Sequence, residues 1–176
     1  MNYATIKETD IANGTGVRVS IFVSGCTHHC KECFNPEAWD FNYGEPYTEE
    51  VEKKILDACN HSYINGLSLL GGEPMHPANV ETVAKLAKRF KELYPDKTIW
   101  CYSGYTLEEL VQRQDSSGYN NSTTQLLHLL DVLVDGKFEI EKKDLSLKFR
   151  GSSNQRVIDM NKTNATGKVV LMEQYK

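Results

Sequence analysis

Apolar positions in this chain come in short runs, separated by segments with helical spacing. Residues 17–24 alternate loosely between apolar and small side chains and end at Gly25, which predicts a strand. Thr48-Glu49-Glu50 opens a helix with Val51, Ile55 and Ala58/Cys59 on one face. Thr48 has N-cap chemistry, and two acids suit a helix N-terminus. Residues 67–70 predict a short buried strand running straight into Gly71-Gly72. From Pro77 a longer helix is predicted, with Val80, Val83, Ala84, Ala87 and Phe90 on its apolar face and Pro95 ending it. Residues 98–102 predict a strand, and Thr106-Leu107-Glu108-Glu109 has the form of a capping box that starts another helix.

The second half is less regular. Residues 115–124 are rich in Ser, Asn and Gly and read as a loop, with Ser122 and Gln125 available to cap a short helix. Residues 132–134 predict a strand that stops at Asp135-Gly136. Residues 155–159 and 168–172, separated by the polar stretch 161–167, read as a terminal hairpin or as two separate strands.

Strand and helix alternate at least four times, which implies an α/β fold with a mostly parallel sheet and helical crossovers. A complete eight-unit barrel takes roughly 250 residues. A single domain of 176 residues has room for about five or six units, so the expectation is an incomplete, laterally open (β/α) barrel. In such folds the working residues sit at the C-terminal ends of strands. Cys26, Gly71, Ser103 and Asp135 each fall just after a predicted strand.

Composition narrows the function. With 20 basic and 24 acidic residues, the net charge of −4 gives no basic surface for nucleic acid. The first apolar run is short and contains Arg18, so it is neither a signal segment nor a membrane span. A cytoplasmic location is expected. Five cysteines, an odd number, do not form a secreted disulfide framework. Cys59 and Cys101, far from the others in sequence, read as small core residues.

The remaining three, Cys26, Cys30 and Cys33, form a C-x3-C-x2-C run. Three thiolates on one loop suit three irons of a 4Fe–4S cluster and leave the fourth iron open for chemistry. A zinc ion with His28 or His29 as fourth ligand is a second reading, although structural zinc usually takes two separated ligand pairs. Gly71-Gly72-Glu73-Pro74 is either a turn before a helix or a backbone approach to a ligand, with the Glu73 carboxylate beside it.

The cysteine run together with Gly71-Gly72-Glu73-Pro74 resembles the radical S-adenosylmethionine enzymes. That resemblance implies that Cys26, Cys30 and Cys33 hold the cluster, and that Gly71, Gly72 and Glu73 hold the amino group of S-adenosylmethionine. Asp135-Gly136-Lys137 resembles the D-x-K of glycyl-radical-enzyme activases, which implies a part for Asp135 and Lys137 in the cofactor site. Ser103 stands where relatives often contact the ribose or adenosine. The residue before the last cysteine is often aromatic and packs near the adenine. Here it is Glu32, with the aromatic displaced to Phe34, so the implied adenine contact falls on Glu32, Cys33 or Phe34.

A narrower resemblance, to the activases of anaerobic ribonucleoside-triphosphate reductase, covers residues 16–26, 33–36, 100–106, 134–138 and 150–156. It implies one-electron cleavage of S-adenosylmethionine to methionine and a 5′-deoxyadenosyl radical, which takes hydrogen from a glycine of the large reductase subunit. It also implies an external electron donor such as flavodoxin, and neither nucleic acid nor membrane as a partner. Other readings are an activase of a different glycyl radical enzyme, a small-molecule radical enzyme of deazapurine synthesis, and an iron–sulfur electron carrier.

Overall fold

The computed structural model describes residues 1–115 and 122–176. One sheet of seven strands forms the frame, in the order β3-β1-β2-β4-β5-β6-β7. The strands are β1 (Asn2–Asp10), β2 (Val17–Val23), β3 (Glu45–Pro46), β4 (Ile64–Gly71), β5 (Thr98–Ser103), β6 (Val132–Asp135) and β7 (Arg156–Asp159). Among the described residues five α-helices accompany them: α1 (Glu49–Ala58), α2 (Val80–Leu93), α3 (Leu107–Asp115), α4 (Ser122–Leu129) and α5 (Met160–Thr166).

β2, β4, β5 and β6 run parallel, and β1, β3 and β7 join antiparallel. The sheet is therefore mixed, and its parallel part is four strands, short of the five or six units expected. β1 and the two-residue β3 are the unpredicted strands. Their side chains are mostly exposed or half-buried, so they carry no strong apolar signal.

Along each parallel strand, alternate residues face opposite sides. On one side Val19, Ile21, Leu67, Leu69, Ile99, Cys101 and Leu133 pack under the helices. α2 buries Val80, Val83, Ala84, Leu86, Ala87 and Phe90 there, which includes the whole predicted face. Each large apolar side chain so buried contributes roughly 1.5–3 kcal/mol. The other side carries Trp100, Val132, Val134 and Val157, with Tyr102, Phe149, Met172 and Tyr175 packed against them. Phe149 stands edge-on to both Trp100 and Tyr175, at 5.0 and 5.2 Å between ring centroids. Arg18 is fully buried beside this cluster. It donates to Ser68 Oγ at 2.8 Å, Thr98 Oγ1 at 2.9 Å and the carbonyls of Thr98 and Leu67, so its charge is solvated by the protein itself.

Several boundaries follow the sequence. Thr48 caps α1 through Val51 N. Thr106 and Glu109 exchange the two bonds of the capping box at α3. α2 starts three residues later than predicted, because Asn79 occupies the N-cap position and Pro77 lies in the preceding turn. Of the predicted loop at 115–124, residues 116–121 lie outside the described residues, while Asp115 belongs to α3 and Ser122 to α4.

The polar stretch at 161–167 is not a hairpin turn. It forms most of α5, capped by Asp159 Oδ1 on Lys162 N and closed by Gly167 with φ +73°. The chain then returns alongside β7, where Leu171 pairs antiparallel with Ile158. Among the described residues no helix is long and apolar enough to cross a membrane.

Candidate functional site

Parallel strands bring their C-terminal ends to one edge, which is where α/β sheets place ligands. Val23 is level with Gly71, and Ser103 with Asp135. The loops after β2, β4, β5 and β6 therefore meet, as their sequence positions suggest.

The loop after β2 carries the cysteines. Gly25 N donates to Ala38 O at 2.7 Å and Cys26 N to Trp39 O at 3.2 Å, closing the loop at its base. Within it, His29 and Glu32 adopt positive φ, +49° and +61°, and turn the chain twice. Cys26 is buried, and Cys30 and Cys33 are half-buried. All three line one cleft of about 510 Å³. Burial pushes the Cys26 thiol up to about 11 and raises Cys30 as well. Cys59 and Cys101 sit in the helix-side core, as expected; burial pushes Cys59 up to about 12 and Cys101 well above its ordinary value. Thiols of that kind are inert.

Gly71 ends β4 with φ +120°. A Cβ there would lie 2.4 Å from Val23 N, and one at Gly72 would lie 2.6 Å from Gly25 O. The close approach these glycines allow is to the backbone of β2 and the base of the cysteine loop. Gly72 N donates to Val23 O at 2.7 Å and Glu73 N to Gly25 O at 2.8 Å, so the two loops are stitched together.

Glu73 is 1% exposed. Its Oε1 accepts from Gly104 N at 2.7 Å and pairs with His28 Nε2 at 2.8 Å. Its Oε2 accepts from Met75 N and Ser103 Oγ, both at 2.9 Å. One carboxylate thus joins the loops after β2, β4 and β5. Ser103, expected to contact a ribose or adenosine, lines the same cleft with its hydroxyl on Glu73.

Asp135 is equally buried, at 1%. Arg156 grips it with Nε at 3.0 Å and Nη2 at 2.6 Å, and Leu107 N donates to it at 2.7 Å. Arg156 also bonds Glu108, which holds that carboxyl below its ordinary value. Lys137 is exposed, and its positive charge lies near Cys30. Glu32 is exposed too. Phe34 is 72% exposed and rests on Phe138, 5.4 Å between centroids, at the edge of the cleft. Phe34 and Cys33 line the cleft, whereas the side chains of Glu32, Asp135 and Lys137 stand outside its lining.

His28 and Trp39 are the residues that the sequence does not single out for this arrangement. His28 is turned inward onto Glu73, and His29 stacks on Trp39 at 4.4 Å. Among the described residues no three His, Cys, Asp or Glu side chains converge as a site for a single ion. A cluster asks for something different, one thiolate for each of three irons. Trp39 Nε1, on a residue that lines the cleft and stacks on His29 of the cysteine loop, is buried without a hydrogen-bond partner. A sulfur acceptor of a bound cluster suits such a donor. The residues present therefore fit a cluster.

Three cysteines on the loop after a parallel strand, facing a cleft at the C-terminal edge of an α/β sheet, define a single-cluster iron–sulfur domain. The model of the 4Fe-4S single cluster domain family matches residues 12–158, and the chain belongs to that family. Within it, the chain belongs with the anaerobic ribonucleoside-triphosphate reductase-activating proteins. It is similar to the one from Vibrio cholerae serotype O1, 46% identical over 88% of this chain and 96% of the relative. The relative from Escherichia coli K12 is 44% identical over 89% of this chain and 97% of its own length. The relative from Enterobacteria phage T4 is 38% identical over 89% and 93%.

Proposed function

We propose that this chain activates an anaerobic ribonucleoside-triphosphate reductase by radical S-adenosylmethionine chemistry, generating a glycyl radical on the large subunit. The observation that carries this reading is the meeting of Cys26, Cys30 and Cys33 with the Glu73 hub at one cleft. Relatives that share nearly the whole chain are named for the reductase they activate, and they supply the target.

In this reading Cys26, Cys30 and Cys33 hold a 4Fe–4S cluster. Gly71, Gly72 and Glu73 form the wall against the amino group of S-adenosylmethionine, with Ser103 beside them. Cys33 and Phe34 flank the adenine. Glu32 shapes the turn that presents them, and Lys137 reaches in from the rim, with Asp135 fixing the base of its segment. Bound together, the cluster and S-adenosylmethionine supply reductive cleavage of a sulfonium and abstraction of hydrogen from a glycine. A flavodoxin-type protein is the external electron donor, and the location is cytoplasmic.

The chain's own part is positioning and exclusion of water. Phe138, Leu147 and Phe149, from the segment between β6 and β7, line the cleft, as do Phe22 and Leu70. These apolar walls keep water from the reacting centre. The mixed sheet acts as the incomplete barrel, and its open side admits a loop of the reductase. Incubation of the anaerobically reconstituted protein with dithionite and S-adenosylmethionine tests the chemistry. The reading expects 5′-deoxyadenosine and methionine in equal amounts. An iron–sulfur electron carrier would release neither.

A further inference from the structure

His28 lies two residues after Cys26 and two before Cys30. Its side chain is 6% exposed, and its Nε2 is 2.8 Å from Glu73 Oε1. A carboxylate only accepts, so Nε2 carries the proton and donates it. The ring is held on two further sides. It stands edge-on to Tyr105, 4.5 Å between centroids. It also packs so tightly on the next loop that a Cβ at Gly104 would lie 2.5 Å from its Cδ2.

Of the four groups that bond Glu73, His28 is the one from the cysteine loop. Other ties of that loop to the body lie at its base, at Gly25 and Cys26, at Thr27, whose side chain bonds Tyr105, and farther along at Cys30 and Phe34, which meet Phe138. His28 is the tie that runs from the stretch between the first two cysteines to Glu73.

We propose that His28 is a positioning residue that locks the cluster-bearing loop to Glu73. The lock gives the cysteine thiolates and the cofactor wall at Gly71–Glu73 one fixed relative placement. It works through a hydrogen bond and packing. This inference rests on the reading that the cysteines hold a cluster and that Gly71–Glu73 hold S-adenosylmethionine. A cofactor that bridges the two parts binds best when their separation is set before it arrives, because no ordering cost remains to be met on binding.

The test compares His28→Ala and His28→Gln with the wild type, all reconstituted anaerobically. Glutamine keeps an N–H donor near the position of Nε2. Three quantities are read: iron content, affinity for S-adenosylmethionine by equilibrium dialysis, and the change that S-adenosylmethionine causes in the paramagnetic resonance spectrum of the reduced cluster. The alanine variant should keep its iron, bind S-adenosylmethionine about tenfold more weakly and show an altered spectral change. The glutamine variant should recover most of both.

Wild-type affinity and spectral change in His28→Ala would overturn the proposal. If the alanine variant fails to load iron, the glutamine variant decides. Loading and binding near the wild type support the lock, and a defect as large as that of alanine overturns it. A wild-type protein whose reduced cluster does not respond to S-adenosylmethionine would instead overturn the underlying reading of the site.

Discussion

Asp135 and Arg156 face each other directly across the antiparallel pair β6–β7, with Arg156 Nη2 2.6 Å and Nε 3.0 Å from the two carboxylate oxygens. The same carboxylate accepts Leu107 N at the start of α3. Asp135 is thus a junction of β6, β7 and α3, whatever it adds to cofactor binding.

Arg156→Ala should therefore destabilise the fold. It leaves Asp135 buried with its charge uncompensated, a change that costs about 3 kcal/mol in partly buried pairs. Arg156→Lys should lose less, because one ammonium cannot reproduce the two-pronged contact. Denaturant unfolding of the cluster-free proteins measures both. Wild-type stability in Arg156→Ala would show that Leu107 N alone satisfies Asp135.

The cysteine assignment predicts a sharp division among five residues. Alanine at Cys26, Cys30 or Cys33 should abolish a stable cluster, since each thiolate fixes one iron. Alanine at Cys59 or Cys101 should leave iron content unchanged and cost only packing. Iron and sulfide analysis with the visible spectrum checks this. A normal cluster in Cys30→Ala would contradict the assignment, and so would zinc in place of iron in the anaerobically purified protein.

Glu73 carries two loads, and its variants should show both. Glu73→Ala strips the acceptor from four donors, so stability should fall. Affinity for S-adenosylmethionine should fall by about tenfold, because the wall at Gly71–Glu73 loses the ties that set its place against the cysteine loop. Equilibrium dialysis on cluster-loaded protein separates the two effects. Unchanged affinity in a destabilised variant would reduce Glu73 to a structural tie.

Gly104→Ala offers an independent probe of the same neighbourhood. The new methyl would meet the His28 ring. Alone it should weaken S-adenosylmethionine binding, and combined with His28→Ala its effect should shrink, because the clash is then gone. Residues in contact give such non-additive cycles. Strict additivity would mean that the ring moves aside without consequence.

Much of the frame was legible locally. The apolar face of α2, the capping box at Thr106 and Glu109 and the strand ends at Gly71 and Asp135 are encoded by neighbours in sequence. Three elements were not legible. β1, next to the sheet edge, and the two-residue β3 at that edge have little buried surface, so their pattern is weak. α5 is short and polar, and it is held by its caps at Asp159 and Gly167 and by burial of Met160 and Thr163. In the site, the cysteine spacing and Gly71-Gly72-Glu73 stood out because their chemistry lies in consecutive residues. The His28–Glu73 and Asp135–Arg156 contacts span 45 and 21 positions, and no local pattern announces them.

In the proposed reaction this protein places a radical on a separate polypeptide. The direct measurement is paramagnetic resonance of the anaerobic ribonucleoside-triphosphate reductase after anaerobic incubation with this protein, dithionite and S-adenosylmethionine. A carbon-centred glycyl signal is expected on the reductase, and it should disappear when the radical-site glycine is replaced by alanine. No reductase radical, together with S-adenosylmethionine-dependent consumption of a small purine precursor, would contradict that reaction.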